Sequence, residues 1–115
     1  MNMKTPRDAV LLRIFIGEDA RLEHKPLYEV IVLKAREAKL AGATVLRGPM
    51  GFGHDSELHT AKILAIAENL PVLVEIVDTK EKIEAFVVEL DGMIASGLVT
   101  MHDVKMIQYG KPTSG

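Results

Sequence analysis

Leu70-Pro71-Val72-Leu73-Val74-Glu75-Ile76-Val77-Asp78, followed at once by Thr79-Lys80-Glu81-Lys82-Ile83-Glu84-Ala85-Phe86-Val87-Val88-Glu89-Leu90, decides the fold. The first part is rich in β-branched residues and reads as a strand from Val72 to Val77. Pro71 is tolerated where that strand begins, because its missing N–H can fall outside the ladder. In the second part Ile83, Phe86, Val87, Leu90 and Ile94 recur at helical period. Asp78 is the expected cap of this helix, with Glu81 completing a capping box, and Gly97 is its expected stop.

Working outward, the N-terminal half repeats the pattern. Ala9 to Ile16 is an apolar run broken only by Arg13, and it reads as a central strand. Gly17 to Arg21 is a polar break. Pro26 then opens a helix whose stripe is Leu27, Val30, Ile31, Ala35 and Ala38, with Gly42 as the expected stop. Ala43 to Arg47 is a second strand, and Gly51 to Thr60 a long polar loop. Lys62 to Glu68 suits either a short helix or an edge strand. The last strand falls within Val99 to Tyr109. Residues 1–8 and 110–115 are polar ends expected to be flexible, which leaves one domain over residues 9–109.

The order is β-α-β-β-α-β. Two split β-α-β halves of this kind make an α+β, ferredoxin-like sandwich: a four-stranded antiparallel sheet with both helices on one face. The strands are apolar on both sides. Val10, Leu12, Ile14 and Ile16 alternate with Leu11 and Phe15, and Val72, Val74 and Ile76 alternate with Leu73 and Val77. One helical layer covers one face, so the other face needs a second cover, and self-association is the simplest.

Composition narrows the function. Apolar residues make up 48% of the 115-residue chain and charged residues 26%, which fits a single globular domain. The net charge of −2, scattered Lys and Arg, and 4% aromatics leave neither a basic patch nor a stacking platform for nucleic acid. With no cysteine there is no disulfide, thiolate nucleophile or zinc–thiolate site. No run approaches the roughly 20 apolar residues of a membrane span, and no signal-type segment opens the chain, so a cytoplasmic location is expected.

Arg47-Gly48-Pro49-Met50-Gly51-Phe52-Gly53-His54-Asp55-Ser56 follows the second strand. Glycines lack a Cβ, so backbone amides in such a turn can approach an anion closely; a tight turn that only glycine can make is the alternative. Arg47 can hold a phosphate bidentately, or simply end a strand at the surface. His54 can donate to a phosphate or stay solvated. His54 and His59 are five apart, a spacing that suits neither a helix face nor a strand face, and no metal site is expected. Ser56 lacks a strand–turn–helix elbow, so no nucleophile is expected either.

Leu12-Arg13-Ile14-Phe15-Ile16-Gly17-Glu18, Lys25-Pro26-Leu27-Tyr28-Glu29, Ala41-Gly42-Ala43-Thr44-Val45, Arg47-Gly48, Gly51-Phe52-Gly53, Leu70-Pro71-Val72, Val77-Asp78 and Gly97-Leu98-Val99-Thr100 occur in this order. Together they resemble the PII-like proteins of the domain of unknown function 190 family, over about Leu11 to Tyr109. The resemblance implies a non-catalytic signalling protein: a homotrimer that binds an adenine nucleotide (ATP, ADP or AMP) between protomers, with magnesium a candidate companion. It implies a regulatory loop that begins at Gly51 and engages a partner, by analogy a membrane transporter or channel. Gly51, Phe52 and Gly53 match the turn at the root of the PII loop, and Arg47, Gly48 and His54 adjoin it. A PII loop ending in Asp-Gly-Lys before the last strand has Asp103-Val104-Lys105 as its nearest counterpart, without the glycine. Thr100 and Met101 are assigned to a turn before that strand, within reach of the ligand. The nucleotide-binding set is therefore Arg47, Gly48, Gly51, Phe52, Gly53, His54, Thr100, Met101 and Lys105. The alternative reading is a metal-responsive trimer of the divalent-cation-tolerance type, which shares the fold.

Overall fold

The computed structural model describes residues 5–52, 59–60 and 69–110. Its elements are β1 (Arg7–Gly17), β2 (Arg21–Leu22), β3 (Lys25–Pro26), α1 (Leu27–Glu37), β4 (Gly42–Arg47), β5 (Met50–Gly51), β6 (His59–Thr60), β7 (Pro71–Asp78), α2 (Lys80–Leu90) and β8 (Leu98–Met106). The main sheet has the order β4-β7-β1-β8, and every neighbouring pair is antiparallel. This is the ferredoxin-like α+β sandwich that the alternating pattern demands. The ambiguous segment from Lys62 to Glu68 lies outside the described residues.

The period of two explains which face is buried. Val10, Leu12, Ile14 and Ile16 of β1 share a face with Val72, Val74 and Ile76 of β7, because Leu12 pairs with Ile76 and Ile14 with Val74. Onto that face pack Leu27, Ile31 and Ala35 of α1 and Ile83, Phe86 and Leu90 of α2. Both helices therefore cover the same side. The opposite face carries two rows that cross all four strands. Leu46, Leu73, Phe15 and Leu98 form an apolar row, in which Phe15 is 38% and Leu98 61% exposed. Thr44, Glu75, Arg13 and Thr100 form a polar row beside it, closed by Arg13 Nε donating to Glu75 Oε2 at 2.9 Å. Arg13, the one break in the β1 apolar run, is thus matched across the strand by Glu75.

Three sequence expectations about helix ends are corrected. Asp78 does not cap α2. Thr79 is the N-cap, with no side-chain capping bond, and Asp78 is buried at the end of β7. Its Oδ2 accepts the Ala41 N–H at 2.8 Å and its Oδ1 the Thr79 N–H at 2.6 Å, so it ties the α1–β4 connection to the mouth of α2. Gly42 does not stop α1. The helix ends in a Schellman turn, Lys39 N–H to Arg36 O and Leu40 N–H to Ala35 O, with Lys39 at φ 58°, and Gly42 already belongs to β4. Gly97 does not stop α2, which ends at Leu90 and unwinds through turns to Ile94. Gly97 is needed elsewhere: a Cβ there would lie 2.9 Å from the Phe15 carbonyl oxygen.

Candidate functional site

β1 and β4 end, and β7 and β8 begin, at one end of the sheet. Gly17 stands opposite Pro71, and Arg47 opposite Val72. From here β4 enters the glycine turn. The Gly48 N–H donates to the Pro71 carbonyl at 2.7 Å. A Cβ on Gly48 would meet the Pro71 ring Cγ at 3.0 Å, and one on Gly51 would meet it at 3.1 Å. Both glycines are pressed against one proline, and neither has a positive φ. The chain then forms a small ribbon, with Met50 opposite Thr60 and Gly51 opposite His59. The polar loop is therefore closed at its base by a ladder instead of starting as irregular chain at Gly51. Phe52 stands out from this root, 70% exposed.

The loop after β1 is fastened to the same place. Glu18 N–H donates to Leu70 O at 2.8 Å, and Asp19 N–H to Asn69 Oδ1 at 2.8 Å. Asn69 has φ 45°, and a Cβ on Gly17 would lie 2.3 Å from its Oδ1. This fixes the Glu18 side chain beside Arg47, whose Nε is paired with Glu18 Oε2. Arg47 is the half of that pair more open to solvent, at 57% against 25% for Glu18.

Of the sequence-predicted residues, Arg47, Gly48, Gly51 and Phe52 come together here, while Gly53 and His54 lie outside the described residues. The others are placed differently. Thr100 and Met101 lie inside β8, not in a turn ahead of it. Thr100 faces away from the helices, opposite Arg13, and Met101 faces the helical side, opposite Leu12. Asp103-Val104-Lys105 is also strand, so the loop that precedes β8 is the segment from Asp91 to Gly97. Lys105 stands seven residues along β8 from Leu98, roughly 23 Å toward the other end of the sheet at strand spacing, and on the edge opposite β4. It is paired with Asp8, and the ammonium holds the Asp8 carboxyl below its ordinary value through a hydrogen bond and charge attraction. Glu18, Asn69 and Pro71 are the residues that sequence reasoning passed over. Register could have found Glu18, because it lies two residues past Ile16, on the face that Ile16 shares with Val72 and Arg47.

The donors present suit a phosphate only in part. Arg47 supplies a forked cation, but the Gly48 amide is spent on Pro71, Gly51 is pressed on the same proline and paired with His59, and Glu18 opposes an anion. Among the described residues no three His, Asp or Glu side chains converge as a metal site. No helix among them is long and apolar enough to cross a membrane. An open groove of about 600 Å³ along α1, lined by residues such as Lys25, Leu33 and Arg36, shares no residue with the glycine turn.

The sheet order and the single helical layer define a ferredoxin-like fold, the one that PII-like proteins share. Solved structures agree. CPII from Thiomonas intermedia K12, bound to ADP and bicarbonate, superposes with a TM-score of 0.65 at 14% identity, covering 91% of this chain and 94% of that one. A putative PII-like signaling protein from Thermus thermophilus gives 0.64 at 12% identity, covering 93% and 94%. Residues 9–106 match DUF190, described as Uncharacterized ACR, and the chain belongs to that family. A UPF0166 protein of Aquifex aeolicus is 43% identical over 97 residues, 84% of this chain and 91% of its own length. UPF0166 protein MJ1524 of Methanocaldococcus jannaschii is 30% identical over 96 residues, 83% and 88%.

Proposed function

We propose that this chain is a non-catalytic PII-like signalling protein that binds an adenine nucleotide between protomers of a homotrimer. The loop after β4 then regulates a partner. The observation that carries the reading is Arg47, a forked cation held more than half exposed at the root of that loop. It sits in a fold shared with CPII, which has been seen with ADP and with ADP and AMP together.

Arg47 and the backbone around Gly51 to Gly53 would hold the phosphates, with His54 as a further donor. A second protomer would wall the turn, which lies on open surface in the single chain. Thr100, Met101 and Lys105 would reach a nucleotide only across the protomer boundary, since β8 is the sheet edge opposite β4 among the described residues. The apolar row of Leu46, Leu73, Phe15 and Leu98 is the surface that self-association would cover. Signalling requires the nucleotide to bind one loop state more tightly than another.

Calorimetry of the full chain with ATP, ADP and AMP, with and without magnesium and bicarbonate, tests the reading. Light scattering on the same sample reads the mass. Saturable binding to a trimer is the expected result. Absence of binding by all three nucleotides, at high protein concentration, would overturn it.

A further inference from the structure

Arg47 ends β4 and Glu18 stands in the turn after β1, 29 positions apart in sequence and with β7 between those strands, yet the fold pairs their side chains at the loop root. The pairing is built. The Glu18 and Asp19 amides are both tethered to the Asn69–Leu70 segment, and Gly17 has no room for a Cβ against Asn69. Glu18 is the less exposed partner, held from behind, while the Arg47 guanidinium faces solvent on an edge strand. The paired group is the cation that a phosphate at this turn would need. Glu18 cancels the charge of Arg47 while the two are paired, and Asp19 is the next residue in sequence. A polyanion therefore meets no net attraction there while the pair is closed.

We propose that Glu18 is an internal competitor for Arg47, a carboxylate that occupies the guanidinium in the ligand-free state and sets the affinity of the turn for phosphate. The inference rests on the nucleotide reading above and names the regulation of that site. A phosphate chain takes Arg47 because its oxygens accept two parallel hydrogen bonds from the fork, while Glu18 meets the guanidinium only as an ion pair at Nε. The exchange has a mechanical consequence. The ion pair is a side-chain tie between the loop after β1 and the end of β4, so loss of it frees the root of the regulatory loop from the first strand. Occupancy of the turn and the state of the tie are then two readings of one event. Reciprocity follows: whatever holds Glu18 and Arg47 together weakens phosphate binding by the same factor.

The test is calorimetry of the full chain with ATP and with inorganic tripolyphosphate at fixed ionic strength. The variants are Glu18→Gln, Arg47→Gln, the double variant, and Asp19→Asn, which removes an adjacent charge without touching the pair. Glu18→Gln is expected to tighten both ligands about tenfold, about 1.4 kcal/mol. The gain should vanish in the Arg47→Gln background and be much smaller for Asp19→Asn. Binding by Glu18→Gln where the wild type shows none would also support the proposal. If the wild type binds and Glu18→Gln binds no tighter, or gains equally without Arg47, the competitor role is overturned and the nucleotide reading stands. If neither wild type nor Glu18→Gln binds either ligand, both are overturned. Should Glu18→Gln fail to fold, Glu18→Ala carries the same expectations.

Discussion

Asp78→Ala is the perturbation that best separates the structure from the sequence pattern. As a helix cap, Asp78 would be worth about 1 kcal/mol, and its loss would fray the first turn of α2. The structure gives it more to do. The residue is 5% exposed, and its carboxylate receives two backbone N–H groups, Ala41 at 2.8 Å and Thr79 at 2.6 Å. A hydrogen bond to a charged group contributes about 1.5–3 kcal/mol net, so two bonds set an upper range of about 3–6 kcal/mol. Removing the carboxylate also relieves its own desolvation, which brings the expected loss to about 3 kcal/mol. Asp78→Asn keeps one acceptor and turns an N–H₂ toward the other donor, so it should recover less than half of the loss. Urea unfolding read by circular dichroism gives the free energy, with an unchanged m-value showing that the loss is in the native contacts. Amide exchange then locates it, and protection at Ala41, 37 residues away in sequence, should fall along with that of Thr79. A loss below about 1 kcal/mol, confined to the first turn of α2, would refute the tie and restore the cap.

Other expectations follow from the same contacts. Gly17→Ala should push the Asn69 side chain off the Asp19 N–H and cost about 1–2 kcal/mol by urea unfolding, and Asn69→Gly should absorb most of that cost in the double variant; strict additivity would show that the clash is not the cause. Lys105→Met should raise the Asp8 carboxyl toward its ordinary value in an NMR titration. Because that group is depressed in the folded state, its contribution to stability is present above the ordinary value of 3.8, fades as pH falls below it, and is screened by salt; an unmoved Asp8 titration would contradict the pair. Leu98→Glu, at an exposed edge position that the protomer tolerates, should shift the light-scattering mass toward monomer if the apolar row is the shared surface; an unchanged trimer would move that interface elsewhere.

The fold is legible because two periodicities carry it. The alternation through Ile14 and Val74 and the helical stripe through Ile83, Phe86 and Leu90 are burial signals that a single chain writes locally, and the same residues form the core. Ends were harder to read. Gly42 and Gly97 looked like helix stops because glycine commonly ends helices, but α1 closes on Lys39 in the left-handed region, and Gly97 answers a backbone oxygen of another strand. Asp78-x-x-Glu81 has the spacing of a capping box, and burial drew its carboxylate to Ala41 instead. Each miss is a case where a long-range partner outweighed a local preference.

The candidate site shows the same division more sharply. Gly48 and Gly51 sit in a turn whose amides could approach a phosphate, a reading made without reference to anything outside the turn. The structure supplies a second cause, since Pro71 leaves no room for a Cβ at either position and takes the Gly48 amide with its carbonyl. A glycine pattern is therefore weaker evidence for an anion here than its spacing suggests, and the weight passes to Arg47. That residue has no packing reason to be charged, and the fold goes to the length of tethering two consecutive amides of another loop to set a carboxylate against it. A strand-end arginine wanted only for solubility needs no such partner. On the competitor proposal, an arginine kept occupied until an anion arrives needs one, and the Glu18–Arg47 pair then marks the proposed site more tellingly than the glycines beside it.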